Sequence, residues 1–574
     1  MSLSFNDEKE KQKVDELRLK EEEDVARILS DKYGIHYIDL TGVSINTDAL
    51  RLIPEAKARG ANMAAFRIVG KKISIGVLSP TAKETTIILD ELKEKEYEAI
   101  LYMVSNQSLQ RAWERYKDLS FASETKAGAL DISNEEIENL LKEVKNVTDI
   151  TSKIADTVHD QKLYRTSKII SIVVAGAIAT SASDIHLEPE EEFSRLRFRL
   201  DGVLQSIITF DKETYNHILS RIKLLSGLKL NIKENAQDGR FSIKIFNDDI
   251  EVRTSILPGA YGESIVLRLL NPKSIAVPLE ELGIPEKLLT IFTKEISRPD
   301  GMLLTTGPTG SGKTTTLYAF LKKVHTPEIK IITIEDPIEY HLPGIVQTQT
   351  DADKGYTFAS GLRSTLRQDP DVIMVGEIRD GETAEIAVQA ALTGHLVFST
   401  LHTNDAAGTF PRLIDLGVNA KTIPDALRVA IAQRLIRRVC MSCAKRVPIP
   451  AEKKELIELV ISKIEKKGES VLQKTEVFEA TGCPLCNMTG YKGRVGLYEA
   501  ITVDKAIQDA VYMNPSDREI SEASEPQNIL TLQEDGIQKV LAGVSTLEEL
   551  ERVVDLEIVL DREHEKNTEN KPQN

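Results

Sequence analysis

Gly307-Pro-Thr-Gly-Ser-Gly-Lys313-Thr314 decides how this 574-residue chain is read. It follows the apolar run Met302-Leu-Leu-Thr-Thr and leads into Thr315-Thr-Leu-Tyr-Ala-Phe-Leu, so the order is strand, glycine loop, helix. That is the G-x-x-x-x-G-K-[ST] spacing of a phosphate-binding loop. Glycines let consecutive backbone N–H groups turn toward phosphate oxygens, where a Cβ would block the approach. The helix that follows points its positive end at the same place. Lys313 has the reach for the β- and γ-phosphates, and Thr314 offers a hydroxyl to Mg²⁺. Gly307, Pro308, Thr309, Gly310, Ser311, Gly312, Lys313, Thr314 and Thr315 are therefore the expected nucleotide-holding residues. A glycine turn with no ligand is the competing reading, and the strand before and helix after weigh against it.

Working outward, a chain of this length exceeds what one core can serve, and roughly three to five domains are expected. The net charge of −16 argues against a general nucleic-acid binder, so no nucleic acid is expected as a partner. Met1 to Glu23 is polar and charged, unlike a secretory signal. The longest apolar stretch, Ile169 to Ala179 with Ser171 inside it, is too short to span a bilayer. A cytoplasmic protein is expected, with any membrane role exerted through partners.

Residues 1–30 are rich in Lys, Glu and Asp and read as an exposed lead-in. Up to residue 119 the pattern is α+β. Ile35-His-Tyr-Ile-Asp-Leu and Ile73-Ser-Ile-Gly-Val-Leu have strand character, while Ala82 to Lys95 and Asn106 to Tyr116 have helical spacing. Nothing there has catalytic spacing, so 1–119 reads as an interaction domain. Residues 120–150 form a linker and a helix opened by the capping box Ser133-Asn-Glu-Glu136. Residues 151–275 form a second α+β unit, with alternating strands at Arg195–Leu200, Phe241–Phe246, Ile250–Ile256 and Ser264–Leu270. Arginine recurs on these strands and turns at 197, 199, 240, 253 and 268. Surface salt bridges are the bland account, but a nucleotide-binding core directly downstream makes these arginines candidates for clamping phosphate charge.

Residues 276–440 alternate buried-type strands with helices, the signature of a parallel sheet in an α/β fold. Ile329–Glu335, Val372–Glu377 and His395–His402 each end in ionisable residues. Ligands on such sheets sit beyond the carboxyl ends of the strands. Glu335-Asp-Pro-Ile-Glu339 supplies carboxylates at one end, and Gly376-Glu377 occupies the Walker B place with Glu where Asp is usual. We assign Glu377 to the Mg²⁺ side. His395 and His402 bracket the third strand, where structural and functional roles are evenly weighted by spacing alone.

Four stretches together resemble the Walker A, Asp box, Walker B and His box of the secretion-superfamily ATPases. They are Gly307–Thr314, Thr333-Ile-Glu-Asp-Pro-Ile-Glu-Tyr340, Leu366 to Asp380, and Thr393-Gly-His-Leu-Val-Phe-Ser-Thr-Leu-His-Thr-Asn404. Within that superfamily the chain is similar to the type IV pilus assembly and type II secretion ATPases over roughly residues 30–560. The resemblance implies a RecA-like ATPase core over 276–440, closed over by the 151–275 lid, in a homo-hexamer using ATP and Mg²⁺. Carried over by position, Glu339 resembles the water-activating glutamate and Glu377 the Walker B glutamate. Glu335 and Asp336 belong to the Asp box, Arg253 and Arg268 resemble the charge-stabilising lid arginines, and Arg240 is a weaker candidate. His395 and His402 match the His box and become expected inter-domain or phosphate sensors. The implied work is type IV pilus assembly through an inner-membrane platform protein, with 1–119 docking a membrane-associated adaptor. A type II secretion pseudopilus ATPase is the alternative, and a nucleic-acid motor or a competence DNA-uptake pilus component is the alternative of another class. Some family members bind cyclic-di-GMP through a glycine-bearing R-L-G signature. Glu10 to Leu29 contains no glycine, so no cyclic-di-GMP binding is expected.

Cys440-Met-Ser-Cys443 and Cys483-Pro-Leu-Cys486 contain all four cysteines of the chain. Two C-x-x-C knuckles close a tetrahedral thiolate site for Zn²⁺, and no oxidoreductase context supports a redox role. We place a zinc subdomain at 441–495, whose intervening residues form a hairpin-like or helical arm. A helical region at 496–560 and a disordered polar tail at 561–574 complete the expectation.

Overall fold

The computed structural model describes residues 21–41, 43, 45–46, 49–50, 52–69, 71–94, 97–118, 134–158, 165–245, 248–271, 277–471 and 475–557. The first part of the charged lead-in, residues 120–133 of the 120–150 linker including the capping serine Ser133, and the 561–574 tail lie outside them. The chain divides into two units, Met1–Lys126 and Ala127–Asn574.

In the first unit, β1 (His36–Tyr37), β2 (Met63–Val69), β3 (Lys72–Val77) and β4 (Glu98–Met103) form a sheet of order β1-β4-β3-β2. The first strand is shorter than its sequence pattern suggests. Alternation on β3 sends Ile73, Ile75 and Val77 into a core shared with Leu40, Leu109 and Trp113. Trp113 completes its burial by donating its indole N–H to the Met63 carbonyl at 3.0 Å.

The second unit contains two large sheets. The first joins β5 (Asp184–Pro189), β6 (Ser194–Leu200), β7 (Val203–Phe210), β8 (Gln237–Ile245), β9 (Asp248–Gly259) and β10 (Gly262–Leu270) in the order β7-β6-β5-β10-β9-β8. Every adjacent pair is antiparallel, and β5 and β7 are additional to the four strands read from the sequence. Antiparallel sheets can leave one face open, and this one does. Phe198, Phe241, Val252 and Ile265 share a core with the helices Arg165–Ala179 and Lys212–Leu225. Helix Arg165–Ala179 is buried continuously from Ile169 to Ala177, which explains its unbroken apolar run. At Gly176 it meets the preceding helix so closely that a Cβ would lie 2.8 Å from the Ile150 side chain.

The second sheet joins β11 (Gly301–Thr306), β12 (Ile331–Glu335), β13 (Val346–Gln349), β14 (Val372–Val375), β15 (Leu396–Leu401) and β16 (Leu427–Val439), all parallel. A two-stranded ladder follows, β17 (Lys445–Pro448) with β18 (Glu476–Glu479). Then β19 (Tyr491–Thr502) returns antiparallel to β16, giving the order β13-β12-β14-β15-β11-β16-β19. Strands β11, β12, β14 and β15 are buried at every residue, as a sheet covered on both faces requires. Strand β19 runs across the boundary placed at 495, so residues 496–502 are strand and not helix, and helices Lys505–Tyr512, Asp517–Ser524, Leu532–Leu541 and Leu547–Val553 follow. The alternating pattern of β19 is weak because Val495 to Tyr498 are buried in succession. Nor do residues 444–482 stand out as an arm. Helix Lys454–Lys466 buries Leu456, Ile457 and Val460 in the same core as helix Leu532–Leu541. Among the described residues, no helix is long and apolar enough to cross a membrane.

Candidate active site

The loop that leaves β11 turns through Gly307, Gly310 and Gly312 at φ of 146°, 80° and 91°, a region open to glycine. Space is as decisive as conformation. A Cβ on Gly307 would lie 2.5 Å from the Gln433 carbonyl oxygen, and one on Gly312 would lie 2.7 Å from Gln433 Nε2. Lys313 opens the next helix, and its buried Nζ donates to the carbonyls of Gly307 at 2.8 Å and Pro308 at 3.0 Å. Burial brings this amino group down to about 8, with the Glu377 charge acting upward and Arg434 downward. Ser311 Oγ is buried without a hydrogen-bond partner. A cation tied only to carbonyls, beside an orphaned hydroxyl, is a donor set that a phosphate would complete. Thr314 is exposed at the start of the helix.

The carboxylates at the strand ends differ in what they can still do. Glu335 ends β12 fully buried and accepts from Tyr318 Oη, Thr333 Oγ1 and, at 3.0 Å, Gln347 Nε2. With its oxygens engaged, it braces the loop and is not positioned as a free ligand. The same Gln347 amide donates to the Tyr340 carbonyl at 3.1 Å and its Oε1 accepts from Leu342 N at 2.7 Å. The segment carrying Glu339 is thereby pinned on both sides. Tyr340 also stacks edge-on against Tyr318, ring centres 4.8 Å apart. Beyond β14, Glu377 pairs with Arg379 and lies 3.3 Å from His402 Nε2. Arg379 is also 4.0 Å from Asp336.

From the antiparallel sheet, strand register brings a row of arginines onto the open face. Arg240 on β8 faces Arg253 on β9, which faces Arg268 on β10, which faces Asp184 on β5, which faces Arg199 on β6. Like charges directly opposed on a sheet repel unless anions intervene. Asp184 answers Arg268 at 2.9 Å and Arg199 at 3.2 Å. Arg253 reaches across to the parallel-sheet domain, pairing with Glu339 at 3.1 Å and donating to the Ile338 carbonyl. Arg240 is exposed. The structure therefore brings Arg253, Glu339, Glu377, His402 and Lys313 to one side of the parallel sheet, while Arg268 is turned to Asp184.

His395 does not join them. It immediately precedes β15, and its carbonyl accepts from Gly301 N, the first residue of β11, at 3.2 Å. The phosphate loop leaves the other end of β11, about 20 Å away at 3.3 Å per residue. Its Nδ1 lies 3.0 Å from the Ala390 carbonyl, an intrachain helix-end contact. The two histidines of the motif flank opposite ends of one strand, so within one chain His395 lies away from the phosphate loop. Of its two expected roles, inter-domain or phosphate sensor, only the inter-domain one fits its place.

Tyr318, Gln347, Arg379 and Arg434 escaped the sequence reading. Arg379 stood inside the quoted Walker B stretch and carried a visible signal. The others read as ordinary helix or strand residues, and only the fold brings them in.

The four cysteine sulfurs lie within 4.8 Å of one another. Cys440–Cys483, Cys443–Cys486 and Cys483–Cys486 are 3.9, 3.8 and 3.7 Å apart at Sγ. A tetrahedral Zn²⁺ with Zn–S near 2.3 Å sets the S–S edge at about 3.8 Å, far from the roughly 2.05 Å of a disulfide. Burial opposes ionisation of Cys486, but N–H donors from Cys483 and Gly490 outweigh it and bring the thiol down to about 7. The donor set fits zinc. The knuckle is also attached to the antiparallel-sheet domain. Asn487 Oδ1 accepts from Val147 N and its carbonyl from Gln205 Nε2, both at 2.9 Å.

Residues 159–552 match the family described as "Type II/IV secretion system protein". A type II secretion system protein E from Pectobacterium carotovorum subsp. carotovorum is 41% identical over 424 residues, 74% of this chain and 81% of that protein. The type IV pilus assembly ATPase PilB of Myxococcus xanthus is 36% identical over 534 residues, 92% of this chain and 91% of that protein. Among solved structures, the Legionella pneumophila ATPase DotB aligns with a TM-score of 0.48 at 22% identity, covering 68% of this chain and 97% of that one.

Proposed function

Because this chain belongs to the type II/IV secretion system protein family and is a secretion-system ATPase, we propose that it is a homo-hexameric motor that assembles a type IV pilus. In this reading it sits at the cytoplasmic face of the inner membrane, acts on a platform protein there, and docks an adaptor through residues 1–119. A type II secretion motor is the second reading, favoured by the identity to protein E.

The observation that carries the motor reading is the ion pair from Arg253 to Glu339 at 3.1 Å, which joins the antiparallel lid to the strand-end loop of the core. Lys313 and the glycine loop hold the phosphates. Thr314 and Glu377 are the residues that would hold Mg²⁺, which when bound neutralises charge on the phosphate oxygens. Glu339 orients the attacking water. While it is paired with Arg253 its carboxylate is occupied, so the guanidinium must move to phosphate charge before Glu339 can accept a proton from water. Arg253 then stabilises the transferring group, flanked by Arg268 and Arg240 on the same face. Lid movement is thus coupled to the state of the phosphates. Zinc on the four cysteines would fix the fold of the segment between β16 and β19.

The test is ATP hydrolysis by the full-length protein. Lys313→Ala is expected to abolish turnover, and a rate left within a few-fold of the unmodified protein would reject the site. Glu339→Gln should keep ATP bound while losing turnover.

A further inference from the structure

Strand β16 lies beside β11 with Thr306 opposite Ala432, so its next residues, Gln433 and Arg434, run alongside the start of the phosphate loop. Three polar atoms surround the space where Gly307 lacks a side chain. From the position of a Cβ there, the Gln433 carbonyl is 2.5 Å away, Ser311 Oγ 2.8 Å and Arg434 Nη1 2.9 Å. The Arg434 guanidinium is half-buried, and its hydrogen bonds go to main-chain carbonyls, to Gln433 O at 3.0 Å and Asn404 O at 2.6 Å. Among the described residues, no carboxylate forms an ion pair with it. Glu499 and Asp405 act on it from farther off, and burial outweighs them, so its proton affinity is lowered. Glu499 has its own oxygens on the backbone amides of Ala406 and Leu532, at 2.9 and 3.2 Å.

Two cations, Arg434 and Lys313, therefore stand at one loop, each bonded to carbonyls and, among the described residues, neither in an ion pair. Burying such a pair without an anion is costly. Ser311 Oγ, also buried at this spot, has no hydrogen-bond partner among the described residues. Carbonyls satisfy guanidinium N–H groups but cannot cancel the charge, which a phosphate does. We propose that Arg434 is a second phosphate-binding residue of the nucleotide site, supplied by the core strand of the same subunit and acting beside Lys313. Its bond to Asn404 O also links the phosphate loop to the segment after His402, so one side chain touches two of the site's loops. The proposal rests on the reading of this loop as an ATP site.

Displacement of a fluorescent ADP from the full-length protein by ADP and by inorganic pyrophosphate tests it. Loss of a charge-assisted hydrogen bond should weaken both ligands about tenfold to a hundredfold in Arg434→Gln. Arg434→Lys, which keeps the charge and loses the fork, should fall between. A contact to phosphate requires pyrophosphate to suffer as much as ADP. If Arg434→Gln binds both within threefold of the unmodified protein, the arginine only clamps Asn404 and the proposal fails. If that variant does not fold, unchanged pyrophosphate affinity in Arg434→Lys overturns it equally. Failure of the unmodified protein to bind either ligand would instead reject the ATP site itself.

Discussion

The phosphate loop and the arginine row both gather charge for one substrate, yet they are built on opposite plans. The loop is one short run of chain whose geometry is set by glycine conformation and by carbonyls that hold Lys313 at 2.8 and 3.0 Å. The row draws Arg199, Arg253, Arg268 and Arg240 from four strands, and exists only because register aligns them. A one-residue slip of β9 would turn Arg253 to the opposite face of its sheet. The loop is thus a fixed receptor, whereas the row can change its partners when its sheet moves as a body. Within the row, Arg253 has a partner in the other domain as well as Glu251 on its own strand at 3.2 Å, whereas the partner of Arg268 lies in its own sheet.

That contrast gives the largest expected effect. Arg253→Gln should lower kcat by about 10³-fold, the low end of what a charge-stabilising arginine contributes, with ATP affinity much less changed. Arg268→Gln should cost roughly a tenth as much on a logarithmic scale of rate, since part of its charge already answers Asp184. Steady-state kinetics on the two variants decides the matter. Equal losses would mean that both arginines leave their present partners during turnover, and the distinction within the row would collapse.

The same contrast explains what could be read from sequence. The loop, the carboxylates after β12 and β14, and the cysteine knuckles each keep their chemistry within a few residues, and the structure places each group together. Strand end and strand start are equally close in sequence, however, so His395 and His402 looked alike until the parallel sheet separated them. Arg434 was invisible for the converse reason. Nothing near it in sequence marks phosphate, and only the pairing of β16 with β11 brings it to Gly307. Strand β19 closes the sheet after a long insertion, and non-local antiparallel pairing of that kind leaves little local signal.

A smaller effect separates the two regions by pH. In the ligand-free site burial brings Lys313 down to about 8, so it loses charge as the pH rises through that value. A bound phosphate favours the charged form, so binding takes up a proton and affinity falls as pH rises. Between pH 7 and pH 9 the ADP affinity should weaken by about tenfold, which follows from a single group titrating near 8. An arginine side chain is not deprotonated in proteins. Lys313→Arg should therefore flatten the profile, whatever its absolute affinity. A slope that persists in Lys313→Arg would place the titrating group elsewhere.

The smallest expected effect concerns how the lid is held where it is not meant to let go. In the proposed cycle Arg253 releases Glu339, whereas the contacts of Asn487 involve no group that changes charge. Asn487 sits at φ 52° directly after Cys486, and its side chain and carbonyl bond the lid at Val147 and Gln205. The cysteine cluster thereby fixes the turn that presents both acceptors. Asn487→Gly keeps the left-handed backbone and removes the side chain with its Oδ1 acceptor, at a cost of about 1 kcal/mol for one hydrogen bond. Hydrogen exchange at the Val147 amide should accelerate about fivefold, and ATP turnover should change far less than in Arg253→Gln. If exchange at Val147 is unaltered, the knuckle is not an anchor of the lid. If turnover falls as far as in Arg253→Gln, this contact also breaks and reforms in the cycle, and the lid has no fixed side.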